Sequence, residues 1–304
     1  MHNVRALWDC MDFTQSCRLK SDTPRGTALE KLHLLQAHSL QLFLRIIVRV
    51  QLMVKNNRCI RLAAVADIHC TKKSADSTRN LLSAMAHQAD ILLLGGDLCD
   101  GGLIEEAEVL AREIASLKKP VVAVLGNHDF EAGKASEIVE ILSTAGVNIL
   151  DGKSCEIYEV GFAGVKGFPG GFGERALQAW GESTIKAFVR EAVEEALKLE
   201  SALAGLRTPN RIALLHYSPI VETVVGEPPE IFPFLGSSRL EDPLNRYPVA
   251  AIFHGHAHRG SLEGATKTGV RVFNVAKSLL ENSSPGTPFK LFEVEDRRQS
   301  EDST

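Results

Sequence analysis

The chain has no surplus of positive charge, no closely spaced cysteine pair and no unbroken apolar stretch of bilayer length. Each absence removes a class of protein. A net charge of −4 and a pI near 6.2 leave no basic footprint, which argues against nucleic acid as an obligatory partner. The six cysteines (10, 17, 59, 70, 99 and 155) follow no regular spacing and form no CxxC. A chain of 304 residues with 44% hydrophobic side chains can bury a core without disulfides, so reduced thiols in a cytoplasmic setting are expected. That length accommodates one large domain or two small ones. The glycine cluster at 167–173 is not followed by Gly-Lys-Ser/Thr and is no P-loop. It reads as a tight loop before a helix, with a substrate-facing loop as the second reading.

Residues 1–52 do not match the rest of the chain. Leu29 to Val54 is leucine-rich, but Arg45 and Arg49 interrupt an apolar run already too short to span a membrane. No early basic region leads to an apolar core and a cleavage site, so no signal peptide is expected. Three readings compete: a packed amphipathic helix, an interfacial helix with its arginines at the headgroups, or a segment outside the native protein. The third fits best, because Met53-Val54-Lys55-Asn56-Asn57 leads directly into a strand. An intact mass that includes residues 1–52 would overturn it. The expected organisation is an extension over 1–52, one domain over 53–296 and a polar tail over 297–304.

What the chain does have is a recurring device. Leu92-Leu93-Leu94 reads as a buried strand that meets two glycines and delivers Asp97. The same pattern runs from 62–66 into Asp67-Ile68-His69, and from 121–125 into Gly126-Asn127-His128-Asp129. It runs again from 212–215 into His216, and from 249–253 into His254-Gly255-His256-Ala257-His258. A lone Asp after a strand is most often a turn residue or a helix cap. Five apolar runs that all end in ligand-type side chains are better explained by one shared edge, where open α/β sheets collect their chemistry. Carboxylates, an amide and several imidazoles gathered there describe a metal site, and their number suits two ions. Cys70 and Cys99 flank it and read as small buried side chains rather than soft ligands.

Between these runs the chain alternates. Helices are expected from Ser74, which caps the run, to His87, over 103–117 and over 133–144, which with the strands gives right-handed βαβ units and a mainly parallel sheet. Short strands at 147–150, 155–160 and 162–166 precede a long helix over 174–204, with Ala176, Trp180, Phe188, Ala192, Val193, Ala196 and Leu197 as its core face. The proline-rich connection 219–248 is long enough to wall a site. Strands at 270–275 and 289–294 finish the pattern.

Asp67-x-His69, Gly96-Asp97, Gly126-Asn127-His128-Asp129, His216 and Gly255-His256-x-His258, in this order, resemble the calcineurin-like metallophosphoesterase superfamily over roughly residues 60–280. The resemblance implies an α/β fold, a four-layer α/β/β/α sandwich of two mixed β-sheets flanked by helices. It also implies two divalent metal ions, drawn from Mn, Fe, Zn or Co. Asp67, His69 and His258 would bind the first and Asn127, His216 and His256 the second, with Asp97 bridging them. A hydroxide shared by two such ions attacks phosphorus in line. His128 would approach the leaving group, oriented by Asp129. His254 has no assigned place, and Asp100 reads as a cap or a support rather than a ligand.

Departures from the family's branches narrow the substrate. Phosphoprotein phosphatases carry arginines where this chain has Gly101 and Leu125, and the hydrolases of lipid A precursors carry arginine where it has His128. The expected function is therefore hydrolysis of a small-molecule phosphodiester, with a broad phosphomonoesterase as the alternative. A nuclease lacks its basic groove, and a non-catalytic scaffold would lack a ligand that is here present. Oligomeric state and metal identity are left open by the residues.

Overall fold

Alternate residues of the central strands face two different cores. Along β1 (Ile60–Val65), Leu62 and Ala64 look toward one cluster of buried side chains while Ala63 and Val65 look toward another. A strand buried on both faces must lie inside a layered molecule. The structure, a computed structural model, describes residues 59–294, so the expectations for residues 1–52 and 297–304 fall outside it.

The first sheet has β2 (Ile91–Gly95), β3 (Val121–Val124) and β4 (Val147–Ile149) following β1 in parallel, and β11 (Lys290–Val294) antiparallel on the other side of β1. The second sheet has the order β5-β6-β7-β8-β10-β9. Its parallel centre is β6 (Val160–Val165), β7 (Asn210–Leu215), β8 (Ala251–His254) and β10 (Arg271–Asn274). The hairpin strand β5 (Lys153–Ile157) and β9 (Glu263–Ala265) run antiparallel at its edges.

Leu62, Leu93 and Val122 of the first sheet meet Phe162, Leu214 and Phe253 of the second in the middle core. The opposite face of the first sheet is covered by α1 (Ala75–Gln88), α2 (Ile104–Ala115) and α3 (Ala135–Thr144), through Leu82, Leu110 and Ile138 among others. The outer face of the second sheet packs on α4 (Ser183–Gly205) through Leu199 and Leu203. Helix, sheet, sheet, helix: the expected four-layer sandwich of two mixed sheets is the observed one.

Three local expectations need correction. The long helix begins at Ser183 rather than 174, because Gly181 takes a left-handed φ of +67° that stops the helix from starting earlier. Its buried face is Val189, Ala192, Glu195, Leu199, Ala202 and Leu203, whereas Trp180, Val193 and Leu197 are exposed. Glu195 belongs there because its carboxylate accepts the Gly167 N–H at 2.8 Å and the Lys198 ammonium at 2.7 Å. Ser74 stands at the α1 N-cap position, but its hydroxyl accepts the Thr71 N–H instead of capping the helix. Finally, β9 and a short helix α7 (Lys277–Ser283) have no counterpart among the expected elements. The long connection folds into two further short helices, α5 (Phe232–Leu235) and α6 (Glu241–Arg246).

Candidate metal centre

All five ligand-bearing loops leave the carboxyl ends of strands: β1, β2 and β3 in one sheet, β7 and β8 in the other. The two sheets are stitched at this end by Ala66, whose N–H donates to the Val275 carbonyl at 2.8 Å and whose carbonyl accepts the Lys277 N–H at 3.0 Å. Asp67, His69, Asp97 and His256 all have left-handed φ, at 57°, 48°, 48° and 69°. That conformation costs an L-residue about 1–2 kcal/mol and is tolerated only where the surroundings hold it. Here it turns each side chain out of its strand direction toward a common point.

Close approach of the loops depends on glycine. A Cβ on Gly126 would lie 2.1 Å from Asp97 Oδ1, and one on Gly96, itself at φ +90°, 2.5 Å from His216 Nδ1. The loops are tied by a carboxylate that never faces solvent: Asp129 accepts the N–H groups of Cys99 (2.8 Å), Gly126 (2.8 Å) and Leu98 (3.2 Å).

Three overlapping groups of ligand-type side chains result: Asp67, His69 and His258; His69, Asp97 and His128; Asp97, His216 and His256. His258 Nε2 lies 3.1 Å from Asp67 Oδ1, and the Asp67 carboxylate accepts the His256 N–H on both oxygens at 3.1 Å. Burial would raise Asp67, but the His258 hydrogen bond and the nearby imidazoles hold it below the usual carboxylate range. Burial and the neighbouring Asp67 charge push Asp97 the other way, up to about 6. Two carboxylates that repel in a buried site call for a cation.

The imidazoles fit that demand. Burial, above all, lowers His216 to about 4 and His256 to about 3, so both are neutral with a lone pair to give. His216 Nδ1 donates to the Gly95 carbonyl at 3.0 Å, which fixes the tautomer and leaves Nε2 as an acceptor. That Nε2 stands 2.9 Å from Asn127 Oδ1 and 3.4 Å from Asp97 Oδ1. Acceptors converging without a proton between them are what a metal ion satisfies, and oxygen with imidazole donors suits first-row divalent ions. His254, by contrast, is complete without metal: Nδ1 donates to the Gly255 carbonyl and Nε2 accepts from Thr223, both at 2.8 Å.

The structure brings Asp67, His69, Asp97, Asn127, His128, His216, His256 and His258 together at this edge and keeps Asp129 behind it. Asp129 does not contact the His128 ring in the way the resemblance suggests. The partner at His128 Nδ1 is the backbone carbonyl of Asp100 at 2.6 Å, with Glu131 Oε1 at 3.7 Å. The Asp100 carboxylate reaches within 3.3 Å of His69 Nδ1. Sequence reasoning also missed Tyr217, whose ring centroid lies 4.5 Å from that of His256, and the Phe234 carbonyl, 3.3 Å from His256 Nε2. Tyr217 directly follows a ligand-type histidine and carried that signal; a carbonyl carries none.

A sandwich of this kind, with acids and imidazoles converging on the carboxyl ends of its strands, defines a metal-dependent hydrolase. The chain belongs to the calcineurin-like phosphoesterase family, whose model matches residues 60–260. Its chemistry is accordingly metal-dependent hydrolysis of phosphoesters. Among solved structures, the fold is similar to that of phosphopantetheinyl hydrolase (PptH) from Mycobacterium tuberculosis: 14% identity, TM-score 0.54, covering 76% of this chain and 95% of that one. It is also similar to TT1561 of Thermus thermophilus: 13% identity, TM-score 0.50, covering 78% and 99%. No curated protein matches the chain in sequence.

Proposed function

We propose that the protein is a two-metal phosphodiesterase acting on a small-molecule diester. Asp67, His69 and His258 would hold one divalent ion, Asn127, His216 and His256 would hold the other, and Asp97 would serve both. The two groupings that contain these acids and imidazoles support this division. Bound there, the ions supply an acidified water and positive charge for the phosphoryl oxygens. The chain's own residues do the rest. Asp97 is kept on its target by the His128 N–H at 2.9 Å, and Asp129 locks the two loops that carry Asp97 and Asn127.

The observation that carries the proposal is the fixation of His128. With Nδ1 donating to the Asp100 carbonyl, Nε2 is the free end of a half-exposed ring that packs 4.6 Å edge-on from His69. Burial would lower this ring, but the Asp100 carbonyl and the charges of Asp97, Glu131 and Asp100 outweigh it and raise its pKa. A histidine oriented in this way beside the ligands can donate a proton to a departing alkoxide. Diester preference is supported by what stands at two positions of the phosphatase branch: Gly101 has no side chain, and Leu125 is buried in the core. A dianionic monoester finds no arginine pair there.

The test strips the protein of metal and restores Mn, Fe, Zn or Co in turn. Hydrolysis of bis-p-nitrophenyl phosphate is measured beside p-nitrophenyl phosphate. Diester cleavage that returns with metal supports the proposal, and monoester preference promotes the phosphatase alternative. For a diester with an alkyl leaving group, His128→Ala lowers kcat by about 10²–10⁴-fold, with a smaller loss for nitrophenolate, which leaves without a proton. Equal losses for both leaving groups would remove His128 from that role. Activity on the small diester that is insensitive to salt counts against a nuclease. No helix among the described residues is long and apolar enough to cross a membrane; a cytoplasmic location is part of the proposal and rests on the scattered cysteines.

A further inference from the structure

Beside the metal centre lies a cavity of about 600 Å³ whose wall is almost wholly apolar. Phe172, Trp180, Phe188, Phe232 and Phe234 line it, and Arg175 is the one charged side chain in its wall. The cavity and the centre share an element. Helix α5 presents Phe232 and Phe234 to the cavity, while the Phe234 carbonyl reaches His256 Nε2 at 3.3 Å. The glycine-rich loop continues the wall and is held against α5 by Gly170 N–H to the Pro233 carbonyl (3.0 Å) and Gly171 N–H to the Gly236 carbonyl (3.0 Å). Arg239 pins the end of this wall by donating to the Leu177 carbonyl at 2.7 Å. The void is thus built by hydrogen-bonded backbone, and two of its aromatic rings, Trp180 and Phe234, stand exposed.

We infer that this cavity is a substrate subsite for a bulky hydrocarbon ester group, the one that stays on phosphorus. The inference rests on the phosphodiesterase reading. The cavity reaches the centre through Phe234, whose carbonyl lies against His256, and no residue of the His128 loop lines it, so the group it would hold is the one that stays on phosphorus. No Asp, Glu, Asn, Gln, Ser or Thr side chain lines it. A sugar or a nucleobase would leave its hydroxyls and edges unpaired there, whereas an alkyl or aryl group loses nothing.

The test compares methyl, octyl and thymidine p-nitrophenyl phosphates, which share a leaving group, on the metal-loaded protein. The octyl diester is expected to exceed the methyl diester in kcat/KM by about tenfold or more, from buried CH₂ groups. Trp180→Ala and Phe234→Ala should bring that ratio close to one, while Tyr158→Ser, an exposed ring at the far β5–β6 turn, leaves it unchanged. A ratio near one in the unaltered protein, a ratio indifferent to Trp180→Ala, or a preference for the thymidine diester would overturn the inference. Trp180 fluorescence is read in parallel with the unhydrolysable dioctylphosphinate and dimethylphosphinate. A saturable blue shift with the octyl compound only, lost in Trp180→Phe, supports the subsite even where all three diesters are inert and the hydrolytic reading has failed. No shift under those conditions sinks both.

Discussion

At the scale of single residues, the centre depends on side chains that are kept uncharged and on glycines that are kept bare. His254 is fully buried, and burial lowers its pKa to about 4, well below the ordinary 6.5. A histidine depressed in the fold takes up its proton more readily in the unfolded chain. Its contribution is therefore whole above 6.5 and is lost as pH falls toward 4. Against a His254→Gln variant, which cannot titrate, the unaltered protein should lose about 1.4 kcal/mol of relative stability per pH unit below 6.5. Urea unfolding of both proteins at pH 7.5 and 5.5 measures it, and a constant difference would mean that His254 is not held neutral. Gly126 makes the opposite kind of demand. Because its Cβ would occupy the space of Asp97 Oδ1 and N, Gly126→Ala must move one loop or the other. Metal affinity should fall by about 10–100-fold, the usual effect of disturbing a group behind the ligands, as titration calorimetry with Mn would show.

At the scale of elements, loops rather than strands decide how good the centre is. Asp129 satisfies three N–H groups from two loops at once. Removing it by Asp129→Ala strands all three in a buried place, so a loss of about 3 kcal/mol or more is expected. Thermal unfolding reads that loss, and a shift of Tm below a degree would show the tie to be idle. This is also where the sequence was and was not legible. The strand ends could be read because each apolar run stops at a side chain that has no business in a core, such as Asp67, Asp97 or His216. Helix α4 was begun too early because Ala176 and Trp180 repeat at helical spacing, although they line a cavity and the chain turns at Gly181. The three residues of β9, Glu263-Gly264-Ala265, carry no apolar alternation and pair only because β10 offers an edge. The orientation of His128 was misattributed to Asp129 for a plainer reason. The group responsible is a backbone carbonyl, which every residue has and none advertises.

At the scale of the molecule, the first sheet supplies Asp67, His69, Asp97 and Asn127, and the second supplies His216, His256 and His258. A divalent ion held by both binds the folded state alone, so it should stabilise that state by about 2.7 kcal/mol at a hundredfold excess over Kd. Chelation should lower Tm, and re-addition of metal should restore it; a Tm indifferent to both would show that the ions do not join the halves. The stitch at Ala66 and the antiparallel pairing of β1 with β11 set an order of events during synthesis. The earliest strand of the domain receives its outer neighbour only when the latest strand has left the ribosome. A nascent chain that has reached Asn127 already displays four of the proposed donors but has no His216 to face them. The proposed centre is therefore incomplete until the second sheet's histidines have been made. On the proposed assignment, a chain truncated before residue 258 lacks at least His258 and is expected to be inactive on a diester that the full chain hydrolyses.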